Sequence, residues 1–220
     1  LDVGCGNGAF TDLLVERCRP LSVHGIDPSD EQLAFARTRP ALQHAQFLKA
    51  DAMSLPFESD AFDVSVMPLV IFFVPDPAKG VAEMKRVVCP GGTVAAYAWD
   101  MVGGGFPYDV LHAEMRSQGV AVPTPPSPDA SQNSIMQDLW LNAGLQSVET
   151  REITVRRTFT NFDDYWETVL FGPSIGPKIA QMSPADRDRL KATMSDRLTA
   201  DTDGRITCSA RSNAIKGRVS

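Results

Sequence analysis

Along the first hundred residues, short β-branched and apolar runs alternate with stretches whose apolar residues recur every three or four positions. Residues 1–3, 22–27, 46–49, 61–67 and 93–99 read as strands. Residues 9–18, 29–38 and 77–88 read as the helices between them. Strands joined in this way run parallel, because the connection must cross a sheet face, so the pattern predicts a doubly wound α/β sheet. Ser29 with Gln32 forms a capping box, and Asp76 stands as N-cap ahead of Pro77 at the first helical position. Pro90-Gly91-Gly92 is expected to stop the third helix before the next strand.

Beyond Trp99 the pattern changes. Gly103 to Gly105 and the Pro-Thr-Pro-Pro-Ser-Pro run over 123–128 are turn-forming punctuation around a helix expected over 108–118. A helix over 131–143, ended by Gly144, leads into a long alternating strand over 146–159. Helices over 162–170 and 183–200 and a strand over 205–216 complete the reading.

Composition narrows the class. With 220 residues, 43% of them hydrophobic and 22% charged, the chain has the makings of a globular domain with a continuous core. A net charge of -6 opposes binding to a phosphate backbone, so nucleic acid is not expected as a partner. The apolar runs are far shorter than the roughly 20 residues that span a bilayer, so no membrane span is expected. Cys5, Cys18, Cys89 and Cys208 show neither C-x-x-C spacing nor disulfide-scaffold density, which points to a reducing, cytoplasmic setting. No His/Cys cluster suggests a metal. The chain opens on Leu1 inside a strand-like run, so an N-terminal part is expected to be missing.

The strongest chemical signal is Asp2-Val3-Gly4-Cys5-Gly6-Asn7-Gly8 between a strand and a helix. Three glycines there let main chain approach a ligand, and the helix start offers free N–H groups. Gly4-x-Gly6-x-x-Ala9 also fits a relaxed dinucleotide fingerprint, so the turn alone does not choose a cofactor. Asp2 favours a cation there, since its charge would repel a pyrophosphate. Asp27, closing the second strand, suits the two hydroxyls of a ribose.

Four ordered segments now resemble the class I S-adenosylmethionine-dependent methyltransferases, in particular the small-molecule group of the ubiquinone/menaquinone-biosynthesis type. They are residues 1–8, residues 25–28, Lys49-Ala50-Asp51-Ala52 with Leu55-Pro56-Phe57, and the stretch from Phe62-Asp63-Val64 through Pro75-Asp76-Pro77 to Pro90-Gly91-Gly92. The resemblance implies a Rossmann-like, seven-stranded, mostly parallel sheet with a small helical cap. It implies one domain, with a cofactor-binding core over 1–100, variable helical segments over 101–145 and 160–203, and final strands over 146–159 and 205–217. By the same resemblance, Asp2, Gly4, Cys5, Gly6 and Gly8 would surround the methionine part of S-adenosylmethionine. Asp27, Pro28 and Gln32 would lie at the ribose, Asp51 and Ala52 at the adenine, and Met67, Pro68 and Leu69 at the sulfonium. Acceptor choice would reside in the variable segments.

Methyl transfer from a sulfonium is an in-line displacement, in which holding acceptor and methyl together supplies much of the rate. The acceptor is expected to be a small molecule and the protein a monomer or homodimer. No catalytic base stands out: His24 and His44 fall away from the chemistry, and His112 is the remaining histidine. Trp99, Tyr108 and Tyr165 are candidate pocket walls, although core packing explains each as well. Ile71-Phe72-Phe73 suggests an apolar surface where relatives often carry a histidine. The Cys5 thiol reads as a small packed group rather than a reactive one. Two alternatives stay open here: a nicotinamide-dependent oxidoreductase, and a binding module that holds S-adenosylmethionine without turnover.

Overall fold

A computed structural model describes residues 1–172 and 175–220. Residues 173 and 174, inside the expected cap segment, lie outside the described residues. The strands are β1 (Asp2–Val3), β2 (His24–Asp27), β3 (Gln46–Lys49), β4 (Phe62–Pro68), β5 (Val88–Trp99), β6 (Gln146–Phe159) and β7 (Ile206–Arg218). The helices are α1 (Ala9–Cys18), α2 (Asp30–Thr38), α3 (Pro77–Arg86), α4 (Asp109–Ser117), α5 (Asn133–Asn142), α6 (Phe162–Leu170), α7 (Gly176–Ala180) and α8 (Pro184–Arg197). Short 3-10 turns cover Pro40–Leu42, Ile71–Phe73 and Pro128–Ser131.

Among the described residues, seven strands make one sheet in the order β3-β2-β1-β4-β5-β7-β6. β1 to β5 pair in parallel, and β7 runs antiparallel to β5. The fold class expected from the sequence is therefore present. The chain forms two compact units. The first comprises Leu1–Gly103, Pro125–Ile153 and Ser212–Ser220, and the second Gly104–Thr124 and Thr154–Arg211.

In the first unit, neighbouring residues of a strand reach two different cores, which is what a sheet wrapped by helices on both faces requires. Ile26 packs with Met67, Val81, Met84, Ala96 and Trp140, the core beneath α3 and α5. Its neighbour Gly25 instead faces Cys5 and Phe47, which pack with Leu33, Ala36 and Leu42 beneath α2. On that second face the aligned row Asp2, Val66, Ala95 and Lys216 runs across β1, β4, β5 and β7. A cavity of about 490 Å³ lies over this row, walled by Phe10, Tyr97 and Ile153 among others. Val64, two residues from Val66 on the same face, is 44% exposed.

The second unit has its own core. Leu111 and Met115 of α4 pack with Tyr165, Trp166, Ile179, Leu190 and Met194, so these helices bury their apolar stripes against each other. Glu114, nearly buried, is paired by Arg197 at 3.1 Å, which keeps its charge compensated.

Several local expectations are corrected. Pro90-Gly91-Gly92 does not terminate a helix: α3 already ends at Arg86, and β5 runs from Val88 through the triplet. The register jumps there from Phe62↔Val88 to Val64↔Thr93, so the glycines form an irregularity that the strand absorbs. A Cβ on Gly92 would stand 2.6 Å from the Asp63 carbonyl oxygen, which is why the strand carries a glycine at this point. The capping box at Ser29 is half made: Ser29 accepts the Gln32 N–H, while the Ser29 N–H goes to Asp27. Asp76 caps α3 by accepting the Lys79 N–H, as expected. The short helix α7 was not anticipated, since five residues carry too little periodicity to read.

Trp140 of α5 is wholly buried, and its indole N–H donates to the Val94 carbonyl at 3.1 Å. Trp140→Phe removes this bond and part of the ring, and is expected to lower stability by about 1–3 kcal/mol. Urea unfolding, with the slope compared between variants, measures it.

Candidate functional site

The turn after β1 is hung on the end of β2. Gly4 and Cys5 both donate their N–H groups to the Ile26 carbonyl, at 2.8 and 2.9 Å, and Gly6 N–H donates to Asp27 Oδ2 at 2.9 Å. Asp27 Oδ1 accepts the Ser29 N–H at 2.9 Å, so one carboxylate ties this turn to the start of α2. Such bonds to an ionised acceptor are the stronger kind.

The three glycines are needed for different reasons. All have positive φ, at 76°, 52° and 77° for Gly4, Gly6 and Gly8. A Cβ on Gly4 would fall 2.5 Å from a Val70 methyl, and one on Gly8 would fall 2.8 Å from Leu42 Cδ1. On Gly6 the nearest protein atom would be Gln32 Oε1 at 3.9 Å, so its bare main chain faces open space. Gly8 is thus explained by packing at the start of α1, and Gly6 is the glycine that leaves room for a ligand.

A second loop brings in Asp51. Its Oδ1 accepts the Met53 N–H at 2.8 Å while the residue stays exposed. The loop is clamped from α3: Arg86 donates to the Leu55 and Phe57 carbonyls at 3.0 and 2.8 Å, and Glu83 accepts the Leu55 N–H at 2.8 Å. The Glu83 carboxylate also pairs with Arg86, which holds its pKa below the ordinary value and raises that of the guanidinium.

Between these loops lies a cavity of about 630 Å³, a size typical of small-molecule sites. From the residues singled out from sequence it brings together Gly4, Asp27, Pro28, Asp51, Ala52 and Pro68. Leu69, from the same sulfonium-side group, also lines it with φ of 59°, a backbone state uncommon for a leucine. Phe73, from the run expected to form an apolar surface, lines it too, and Met53, Val70, Val74 and Pro75 add apolar wall that the sequence did not point to. Of the Phe72-Phe73 pair the 3-10 turn buries only Phe72, and Phe73 is left 60% exposed.

Other expected residues stand apart from this cavity. Gln32 is exposed on α2, and Met67 is wholly buried in the core beneath α3 and α5. The Cys5 thiol points into the core beneath α2, where burial and the charges of Asp2 and Asp27 raise its pKa. A reactive thiolate is excluded there. Trp99 belongs to the first unit, whereas Tyr108 and Tyr165 pack in the core of the second. His24 lies edge-on to Phe57 and Phe62, at 5.6 and 5.3 Å, and His44 is exposed. His112 is buried in the second unit with its ring 5.0 Å from Phe106, and burial lowers its pKa.

Asp2 is fully buried against Thr11 of α1. Its Oδ2 accepts the Thr11 hydroxyl at 2.7 Å, and its Oδ1 has no hydrogen-bond partner. Burial raises its pKa to about 6 against the opposing pull of the Thr11 bond. A buried carboxylate with one oxygen free is costly unless a donor or cation meets it.

Residues 1–96 match the family model described as a methyltransferase domain. The chain is 40% identical over 92 residues to 2-methyl-6-phytyl-1,4-hydroquinone methyltransferase 2 of Oryza sativa subsp. japonica, covering 42% of this chain and 26% of that protein. It is 38% identical over 96 residues to a demethylmenaquinone methyltransferase of Staphylococcus aureus, covering 43% and 40%. The matched part thus spans less than half the length of these curated relatives. Among solved structures, Haemonchus contortus phosphoethanolamine N-methyltransferase 2, in complex with S-adenosyl-L-methionine, is similar in fold over 100% of this chain and 48% of that one. The TM-score is 0.59 and the identity 18%.

The clamp from α3 can be tested apart from any ligand. Arg86→Met is expected to cost about 1–3 kcal/mol and to speed proteolytic cleavage within residues 51–57. Limited proteolysis with mass mapping of the first cut checks it.

Proposed function

We propose, from the match of residues 1–96 to the methyltransferase domain model, that this chain is an enzyme that binds S-adenosylmethionine and passes its methyl group to a small molecule. The observation that carries this reading is the cavity lined by Gly4, Asp27 and Asp51, with the buried carboxylate of Asp2, two residues before Gly4, keeping one oxygen unpartnered. That donor set fits the cofactor. Asp27 has lone pairs left for ribose hydroxyls after accepting two N–H groups, and Asp51 Oδ2 is free for an amine of the base. The unpartnered oxygen of Asp2 would suit an ammonium group, while Met53, Val70 and Phe73 supply apolar wall.

When bound, the cofactor supplies an electrophilic methyl on a positively charged sulfur. The protein's part is to orient and to exclude water: Asp27 holds the ribose end, the Arg86 clamp keeps the Asp51 loop in place, and the apolar wall keeps the reacting centre dry. The two curated relatives are named for hydroquinone and menaquinone precursors, and the apolar wall suits an acceptor of that quinol class. The acidic net charge supports a small-molecule acceptor over nucleic acid, and the four free cysteines support a reducing, cytoplasmic setting. Among the described residues, no helix is long and apolar enough to cross a membrane.

A nicotinamide cofactor fits less well. A pyrophosphate at the glycine turn would be repelled by the charge of Asp2, which burial leaves little screened by solvent.

Isothermal titration with S-adenosylmethionine is expected to give saturable binding, and Asp27→Ala is expected to weaken it at least roughly tenfold. No heat with the intact chain overturns the cofactor assignment. Mass spectrometry with a quinol acceptor is expected to show the gain of one methyl. Binding without product from any acceptor of a broad panel favours the binding module.

A further inference from the structure

Thr11 lies on the first turn of α1, wholly buried. A threonine in a helix ordinarily turns its hydroxyl onto the carbonyl one turn back. Here the single hydroxyl proton goes instead to Asp2 Oδ2 at 2.7 Å, across nine residues of chain and inside the protein. The bond fixes the carboxylate's rotation and leaves the other oxygen without a partner.

We propose that Thr11 is a positioning residue for the amino-acid end of the cofactor: its hydroxyl orients and keeps ionised the Asp2 carboxylate, whose free oxygen is the counter-charge for the ligand's ammonium group. This rests on the assignment of S-adenosylmethionine above. A hydrogen bond to the charged form of an acid favours ionisation, and here it works against burial, which favours the neutral acid. The titratable side chains around Asp2 are Cys5, Asp27 and Tyr97. Among the side chains, Asp27 opposes ionisation. The Thr11 proton is therefore the neutral side-chain contact that holds the carboxylate in its binding form.

The claim separates the amino-acid end from the nucleoside. Three ligands read this difference: S-adenosylmethionine and S-adenosylhomocysteine, which carry the ammonium group, and 5′-methylthioadenosine, which lacks it. Thr11→Val keeps the shape and removes the donor. It is expected to weaken the first two roughly tenfold and to leave the third unchanged, while Thr11→Ser restores wild-type values. Asp2→Asn, which can still accept the Thr11 proton, is expected to show the same selective loss and serves if Thr11→Val does not fold.

Affinity of the wild type for S-adenosylhomocysteine is expected to fall as pH drops through about 6, because the carboxylate must be ionised to meet the cation. In Thr11→Val the fall should begin at higher pH. Equal weakening of all three ligands makes Thr11 a packing residue and overturns the proposal, as does unchanged binding. If the wild type binds none of the three, the cofactor assignment itself fails, a result distinct from either.

Discussion

The Ile26 carbonyl and the Asp27 carboxylate at the end of β2 accept three successive N–H groups from the turn that follows β1. A turn with three positive-φ glycines has high conformational entropy when free, so its shape must be imposed by acceptors outside it. β2 supplies them because it is the parallel neighbour of β1, in register from Asp2↔Gly25 to Val3↔Ile26. The register therefore determines where the turn's bare main chain faces. Asp27 serves two ends at once, bracing the turn and starting α2, and it can do so because a carboxylate has more acceptor sites than two N–H groups fill.

The same economy explains what was readable in the residues beforehand. The parallel strands, the order of helices, and the positions of Asp27 and Asp51 follow from periodicity, turn residues and motif order, each a local property. What escaped depends on contacts between distant segments. Gly8 looks like part of a ligand cradle in the chain, yet its missing side chain makes room for Leu42 and Ala36, which arrive from beyond β2. Pro90-Gly91-Gly92 looks like a helix stop, yet the close approach of the Asp63 carbonyl makes it a bend inside a strand. In both cases the glycine was noticed and its partner was not, because a sequence shows where a side chain is absent without showing what occupies the space.

The apolar wall of the cavity follows a related logic. Ile71, Phe72 and Phe73 are all apolar, so their pattern could not say which of them faces the core. A 3-10 turn distributes three consecutive residues around its axis, and the core takes Ile71 and Phe72. Phe73 is left at the cavity because the other two already fill the space beneath α3. Leu69 has the same origin: its N–H must reach the Tyr97 carbonyl at 2.6 Å as β4 ends, and that requirement holds it at positive φ.

Asp2 shows how a fold can hold an unfavourable group in readiness. Its folded pKa, about 6, lies above the reference value of 3.8. Its contribution to stability is therefore fully present below the unfolded value and is lost as pH rises through the folded one. Above pH 6 the ionised carboxylate is thus a cost to the free protein, and a bound cation offsets part of it. The opposite dependence holds for binding, which gains as the acid ionises. A site of this kind discriminates by sign: a ligand with an ammonium group relieves the buried charge, and a pyrophosphate at the same turn would add to it. The glycines alone admit either ligand, so on the proposed assignment the selectivity of the turn would belong to the Asp2 carboxylate rather than to the main chain.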